Sequence, residues 1–246
     1  MNIIMDMHSH TLASGHAYST IAEMAKAAAD KGLKLLGITE HAPMMPGSCH
    51  GFYFHNLKVM PRQMFGIHVM FGSELNILSE EGAFDLDDKS IENLDINIAS
   101  LHPPCFAPKS KDENTRAILN AMNHPCVNVI GHCDDGRFDL DYKAIVLEAK
   151  RTNTMLELNN ASLNPEGFRP RARENDEVLL GLCMKYDVPI LVDSDAHVAF
   201  DVGNHTFALK VLEDLNFPEE LVINTDMEKL FRYLRKKTNR SGKIEF

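Results

Sequence analysis

Short apolar runs alternate with helix-patterned segments along almost the whole chain. Nearly every run ends in a residue able to ligate a metal or carry a proton. The runs cover residues 2–7, 33–39, 67–73, 95–101, 127–131, 154–158 and 188–192. They are apolar almost throughout, as expected of parallel strands covered on both faces. Strict strand–helix alternation predicts a parallel α/β architecture. An open doubly wound sheet gathers its polar residues at one switch point, whereas a barrel gathers them at the C-terminal ends of many strands. Six strand ends contribute here, so the pattern predicts one closed or nearly closed barrel, irregular because it has seven strands. With no repeat and no linker, residues 1–246 read as a single domain.

Local signals place the helices between the strands. Thr20 and Glu23 form a capping-box pattern ahead of a helix over 21–31 that stops at Gly32. A helix over 112–122 precedes the fifth strand, and Asp139 or Asp141 caps one running to Lys150. A basic loop with Arg169, Arg171 and Arg173 opens another, which ends at Tyr186. Residues 205–235 are helical in pattern with a break at Pro218, and a short polar tail follows. Two longer connections stand out. Residues 42–66 are rich in Pro, Gly and Met and long enough to carry a short helix, and residues 79–93 predict a hairpin-like excursion and a short helix.

Composition narrows the function classes. The formal net charge of −10 disfavours general affinity for a nucleic-acid backbone. Five cysteines with irregular spacing and no Cys-x-x-Cys predict a reduced, cytoplasmic protein rather than a disulfide scaffold or thiolate zinc finger. No leader pattern is visible, and no apolar run approaches the roughly 20 residues of a membrane span.

Seven of the twelve histidines lie at strand ends or in the loops that follow. In order, the candidate ligands are His8, His10, His16, His41, Glu74, His102, His132, Asp195 and His197. Alternate residues of a strand share a face, so His8 and His10 converge if the first strand persists through them. Nitrogen and carboxylate donors without thiolate favour zinc, manganese or iron. A catalytic zinc takes about three protein ligands, so nine donors fit two or three ions. Ions a few ångströms apart are suited to hydrolysing phosphate esters. Taken singly, each His is more often a hydrogen-bonded core or surface residue, and Glu74 or Asp195 a helix cap; the joint occurrence carries the reading. His68 and His124 fall at the opposite end of the barrel and read as structural. His50 and His55 can line the mouth, and His205 reads as a surface residue flanking a helix.

The set His-x-His, a loop His, Thr-Glu-His, Gly-Ser-Glu, Leu-His-Pro, Gly-His and Asp-Ser-Asp-Ala-His resembles the polymerase and histidinol phosphatase (PHP) family over essentially the whole chain, most closely its YcdX-like phosphatase branch. The resemblance implies a distorted (βα)7 TIM-like barrel, a trinuclear centre and phosphoesterase activity. It places His8, His10, Glu74 and Asp195 around one ion, lets Glu74 bridge to a second held with His102 and His132, and gives the third to His16, His41 and His197. Glu40 stands where the family usually has Asp; the residue is expected to orient a ligand His. Cys133-Asp134-Asp135 replaces a His-Pro-like sequence, and Cys133 reads as a bystander.

These readings converge on a metal-dependent phosphatase of small phosphomonoesters using Zn2+, with Mn2+ or Fe2+ as alternatives and His8, Glu74 and Asp195 at its catalytic centre. Arg137, Arg169 and Arg171 are candidate phosphate contacts because guanidinium forks match phosphate oxygens; Arg173 and Arg62 carry less weight, and all of them also fit solvated surface charge. Asn159 and Asn160 either contact substrate or a ligand His, or fix the turn. Rival readings are a phosphodiesterase or nuclease on the same centre, an amidohydrolase-type deaminase, which also opens with His-x-His, and a metal-binding protein without turnover. The resemblance further implies a homo-oligomer, taken as a trimer.

Overall fold

The computed structural model describes residues 1–238, so most of the expected polar tail lies outside the described residues. One sheet contains β1 (Met5–Asp6), β2 (Leu35–His41), β3 (Gln63–Met64), β4 (Ile67–Asn76), β5 (Ile96–Ser100), β6 (Val129–Ile130), β7 (Met155–Asn159) and β8 (Ile190–Asp193). Seven are parallel neighbours in chain order, and β3 is a two-residue antiparallel addition to β4. The expected irregular barrel of seven parallel strands is therefore present. The larger helices are α1 (Ile21–Asp30), α4 (Lys111–Met122), α5 (Tyr142–Thr152), α6 (Ala172–Tyr186), α7 (Thr206–Asp214) and α8 (Met227–Thr238); α2 (Phe52–Asn56) and α3 (Asp88–Asn93) sit in the two long connections.

The helix starts follow the sequence signals. Thr20 and Glu23 close a reciprocal capping box on α1, and Gly32 follows with φ +82°. Asp141 caps α5 by accepting from the Ala144 amide, while Asp139 pairs with Arg171 instead. The excursion after β4 turns through an Leu78 N–H to Ala83 carbonyl bond of 2.9 Å. Strand lengths differ from expectation. β4 runs on to Asn76 because it is paired on both sides, with β2 and β5, whereas β1 and β6 keep two residues each.

The seam between β1 and β8 explains the irregularity. Near the top, Ser9 and Ala196 form a single parallel bridge. The His10 amide donates to the Ala196 carbonyl at 2.8 Å and the Asp195 amide to the His8 carbonyl at 3.0 Å. Lower down, the Asn224 side chain takes the place of a missing ladder. It donates to the carbonyls of Met5 (3.1 Å) and Val192 (2.8 Å) and accepts from the Val192 amide (2.7 Å). Buried backbone groups left open by the missing strand are thereby satisfied.

The barrel interior is divided along its axis. Met5, Met7, Leu35, Met70, Ile96, Ile98, Val129, Met155 and Leu191 form one apolar cluster, onto which α8 packs Leu230, Phe231 and Leu234. Each of these α8 side chains contributes roughly 1.5–3 kcal/mol by leaving water. The polar residues collect at the other end, where the strands finish. Among the described residues no helix is long and apolar enough to cross a membrane.

Candidate metal centre

The regular ladder of β1 stops at Asp6, yet the chain stays extended. The Thr39 amide donates to the Ser9 carbonyl at 2.9 Å and the Ser9 hydroxyl to the Gly37 carbonyl at 2.7 Å. Gly37 allows this approach, since a Cβ there would sit 2.5 Å from the Met7 carbonyl oxygen. Alternation therefore persists past the strand, and His8 and His10 turn to the same side, with Nε2 atoms 3.0 Å apart.

All nine candidate ligands meet at this end of the barrel. Glu74, near the end of β4, is the hub. Its Oε2 lies 3.5 Å from Nε2 of both His8 and His10 and 2.6 Å from Nδ1 of His41. Its Oε1 lies 3.1 Å from Nε2 of His102 and 2.8 Å from Nε2 of His132. Asp195 Oδ1 faces His10 Nε2 at 3.3 Å and His8 Nε2 at 3.6 Å. His16 reaches the cluster through His41, with Nε2 atoms 3.1 Å apart, and its ring lies 4.9 Å from that of His197. Three sets of donors lie within 4.8 Å of one another: His10, His41 and His197; His8, His10 and Glu74; and His41, Glu74 and His102.

These contacts do not behave as an ordinary hydrogen-bond network. His41 Nδ1 and Glu74 Oε2 are 2.6 Å apart but misaligned for a hydrogen bond, and both atoms, like His102 Nε2, are buried without a partner. A buried polar atom left unsatisfied costs about 1–3 kcal/mol. Three such atoms turned toward one another fit a cation: the donors are imidazole and carboxylate, as zinc, manganese and iron accept.

The protonation pattern agrees with that chemistry. Burial opposes ionisation of Glu74, but His102, His41 and His8 hold its carboxyl well below the usual range; for Asp195, also buried, His8, His10 and Arg169 do the same. Burial, His41 and His197 keep His10 neutral far below its ordinary value. Burial and the same two neighbours bring His16 down to about 4, and burial lowers His102. Deprotonated imidazoles and ionised carboxylates are the forms that bind metal. His8 is the exception. Burial works against its charge, but Glu157, Asp195 and Glu74 raise it.

A surrounding layer fixes the rings. Glu157 Oε1 lies 2.6 Å from His8 Nδ1, and its Oε2 accepts from the His132 amide at 2.6 Å. His132 has φ +24°, so that bond also holds an unusual backbone turn. Asn76 Oδ1 meets His102 Nδ1 at 2.8 Å. Glu40 acts through an intermediary: Ser14 Oγ donates to it at 2.6 Å and lies 3.2 Å from His10 Nδ1. Glu157 escaped the sequence reading as a functional residue; a carboxylate inside an otherwise apolar strand was the available signal, because such a group is buried only with partners.

Above the cluster lies a cavity of about 310 Å3, lined on one side by His16, His41, His102, Asp195 and His197. Arg137 and Arg169 line it too. Arg169 donates to Asp195 Oδ2 at 3.1 Å and to Asn159 and Ser162. The other arginines turn elsewhere: Arg171 to Gly136 and Asp139, Arg173 to Glu177 and Asp214, Arg62 to Asp95. Asn159 donates to Glu157 and Asp195, whereas Asn160 fixes structure, accepting from the Phe207 and Ala208 amides at the start of α7. His50 and His55 do not line the cavity; His55 contacts Ser90. His205 corrects the sequence reading. It precedes α7 as expected but is buried, its Nε2 3.9 Å from Asp6 Oδ1, because α7 folds back over the start of the chain.

Comparison with known proteins decides the family. The PHP domain model matches residues 6–180, and a PHP-associated model matches residues 179–239. The chain belongs to the PHP family. Curated relatives span nearly its full length. A probable phosphatase of Clostridium novyi is 43% identical over 239 residues, covering 96% of each chain. One of Caldanaerobacter subterraneus is 42% identical over 243 residues, covering 98% of this chain and 95% of its own. Among solved structures, histidinol phosphate phosphatase from Lactococcus lactis, complexed with zinc, L-histidinol and phosphate, superposes with a TM-score of 0.59 at 18% identity, covering 87% of this chain and 94% of its own. A chain from archaeal ribonuclease P with mature tRNA superposes with the same TM-score at 14% identity, covering 98% and 94%. At such identities these two establish likeness of fold alone.

Proposed function

We propose that this PHP-family hydrolase is a metal-dependent phosphomonoesterase acting on small phosphorylated metabolites through a trinuclear zinc centre, with manganese or iron as alternative ions. The observation that carries the reading is three buried, mutually facing atoms without hydrogen-bond partners, His41 Nδ1, Glu74 Oε2 and His102 Nε2, at the centre of the clustered donors. His8, His10, Glu74 and Asp195 would hold one ion, Glu74 with His102 and His132 a second, and His16, His41 and His197 the third. Divalent ions held there would supply Lewis-acid charge against a phosphoryl group and would lower the pKa of water toward neutrality.

The chain's own side chains do the rest. Arg137 and Arg169 face the same cavity, where guanidinium forks hold the non-bridging oxygens of a phosphate. Glu157 and Asn76 keep the rings of His8 and His102 from rotating. The relatives named probable phosphatases, alike over nearly their full lengths, support this reaction class, and family membership sets aside the amidohydrolase-type deaminase. The net charge of −10 and the compact cavity favour a small ester over a polynucleotide. All five cysteines are free, in keeping with a reducing cytoplasmic location, and a trimer is the assembly to test by sedimentation.

The deciding experiment pairs elemental analysis of the purified protein with a screen of phosphorylated metabolites, using His8→Ala and Asp195→Ala as controls. Bound metal and turnover lost in both variants is the expected result. Normal turnover by either variant, or protein that retains no divalent ion, overturns the reading.

A further inference from the structure

We infer that the mouth above the metal centre selects phosphoesters whose leaving group is flat, apolar and free of positive charge. This rests on the phosphatase reading of the same site. At about 310 Å3 the cavity lies at the small end of ligand pockets, so the group that departs touches its walls. Those walls are apolar: Met45 from the connection after β2, Pro103 and Pro104 after β5, and Ala161 and Phe168 after β7.

Phe168 is the clearest marker. The residue is 73% exposed at the cavity mouth, so it offers a large aromatic surface to an entering group. The guanidinium carbons of Arg137 and Arg169 lie 5.1 and 5.4 Å from its ring centroid, within cation–π range, an attraction that favours this placement of the ring beside the cavity. A planar group entering beside it gains aromatic contact, and the same lining supplies the apolar faces of Pro103 and Pro104.

Charge excludes the alternative. The cavity lining contains one carboxylate, Asp195, already engaged by Arg169 and the imidazoles. Asp135, close by, is held in a fork by Arg137. An ammonium on the leaving group would face two guanidiniums with no carboxylate at liberty. A polyol would place hydroxyls against walls that offer few partners, which disfavours their desolvation.

Non-hydrolysable phosphonates separate this inference from the reaction itself. Calorimetry on the metal-loaded full chain would compare benzylphosphonate, ethylphosphonate and 2-aminoethylphosphonate. Benzylphosphonate is expected to bind about tenfold tighter than ethylphosphonate, with 2-aminoethylphosphonate the weakest. Phe168→Ala should collapse the benzyl-to-ethyl ratio to near unity, with an unchanged circular dichroism spectrum. Equal binding of the three, preference for the amine, absence of binding or an unchanged ratio in Phe168→Ala overturns the inference. Because no bond is broken, a chain that turns over phosphoesters but ranks the phosphonates equally loses this inference and keeps the phosphatase reading. Failure to hydrolyse any ester defeats that reading while the ranking still stands or falls by itself.

Discussion

Glu157 Oε1 lies 2.6 Å from His8 Nδ1, and neither side chain has any exposure to solvent. The carboxylate accepts a hydrogen bond from Nδ1–H and so leaves Nε2 to face His10 and Asp195. Its other oxygen holds the backbone of His132, so one side chain on β7 sets two donors that follow different strands. Partners of this kind typically matter 10–100-fold in metal affinity. Glu157→Gln is therefore expected to weaken zinc binding by about that factor, read by competition against a chromophoric chelator. Affinity unchanged within twofold would show that His8 keeps its orientation without the charge.

Asn224 bridges the seam between β1 and β8 with three side-chain hydrogen bonds to backbone groups. Asn224→Ala leaves two carbonyls and an amide without partners. At about 1–3 kcal/mol each, with partial rehydration, the loss should be roughly 3 kcal/mol, or about 6–12 °C in Tm for a chain of this size. Differential scanning calorimetry on the metal-free protein checks it, and a change below about 2 °C would mean that the seam closes by other contacts.

Much of this architecture was legible because each ligand follows an apolar run, and a parallel strand must end where its helix begins. The sequence alone thus places His41, Glu74, His102 and Asp195. Glu157 was hidden because a residue inside β7 carries no positional sign of which ring it touches, 149 positions away in sequence. Asn224 was hidden for a related reason: its partners are backbone groups of distant strands, which exert no selection on local pattern. His205 was misplaced because only the tertiary fold lays α7 over Asp6. The three arginines near 169–173 looked alike in sequence, and their different partners separate them only in space.

Asp176 is buried on α6, and neither of its carboxylate oxygens accepts a hydrogen bond. Burial, then Asp134 and Glu157, push it well above the ordinary aspartate value of 3.8. The folded chain thus keeps a proton that the unfolded chain releases. The resulting stability is fully present below pH 3.8 and is lost as pH rises through the folded value. Asp176→Asn removes the titration, so its Tm advantage over the parent should grow from pH 5 to pH 8, reaching about 2–4 °C for each kcal/mol regained. A difference that does not change with pH would contradict the assignment.

Removing metal should loosen the C-terminal end of the barrel. Ligand at a hundred times its Kd adds about 2.7 kcal/mol to stability, so chelation is expected to lower Tm by roughly 5–11 °C. Proton release offers a second readout. His10, His16 and His102 are already neutral at pH 7, whereas His8 is held protonated by its carboxylate neighbours. Zinc binding should release at least the proton on His8 Nε2 at that pH, measured as the dependence of the calorimetric heat on buffer ionisation enthalpy. Heat independent of buffer would show that His8 is neutral before metal arrives.

Arg137 and Arg171 separate two readings of the basic residues. Arg137 lines the cavity, and Asp135 grips it by Nε and Nη2 at 2.9 and 2.5 Å, which fixes the plane of the guanidinium and leaves Nη1 for a ligand. Arg171 instead donates to the Gly136 carbonyl and to Asp139, with more than half of its side chain in solvent. A charge-assisted hydrogen bond contributes about 1.5–3 kcal/mol, which corresponds to roughly 10–150-fold. Arg137→Ala should therefore lower kcat/KM for a phosphomonoester by a factor in that range, with KM rising because the contact is made to bound substrate as well. Arg171→Ala should leave both constants within about twofold, since solvent-exposed ion pairs are worth about 0–1 kcal/mol. Steady-state kinetics on the two variants in parallel decides between them: equal losses would mean that the loop carrying Arg171 closes over the phosphate, and the cavity would then be larger in the apo chain than in the complex.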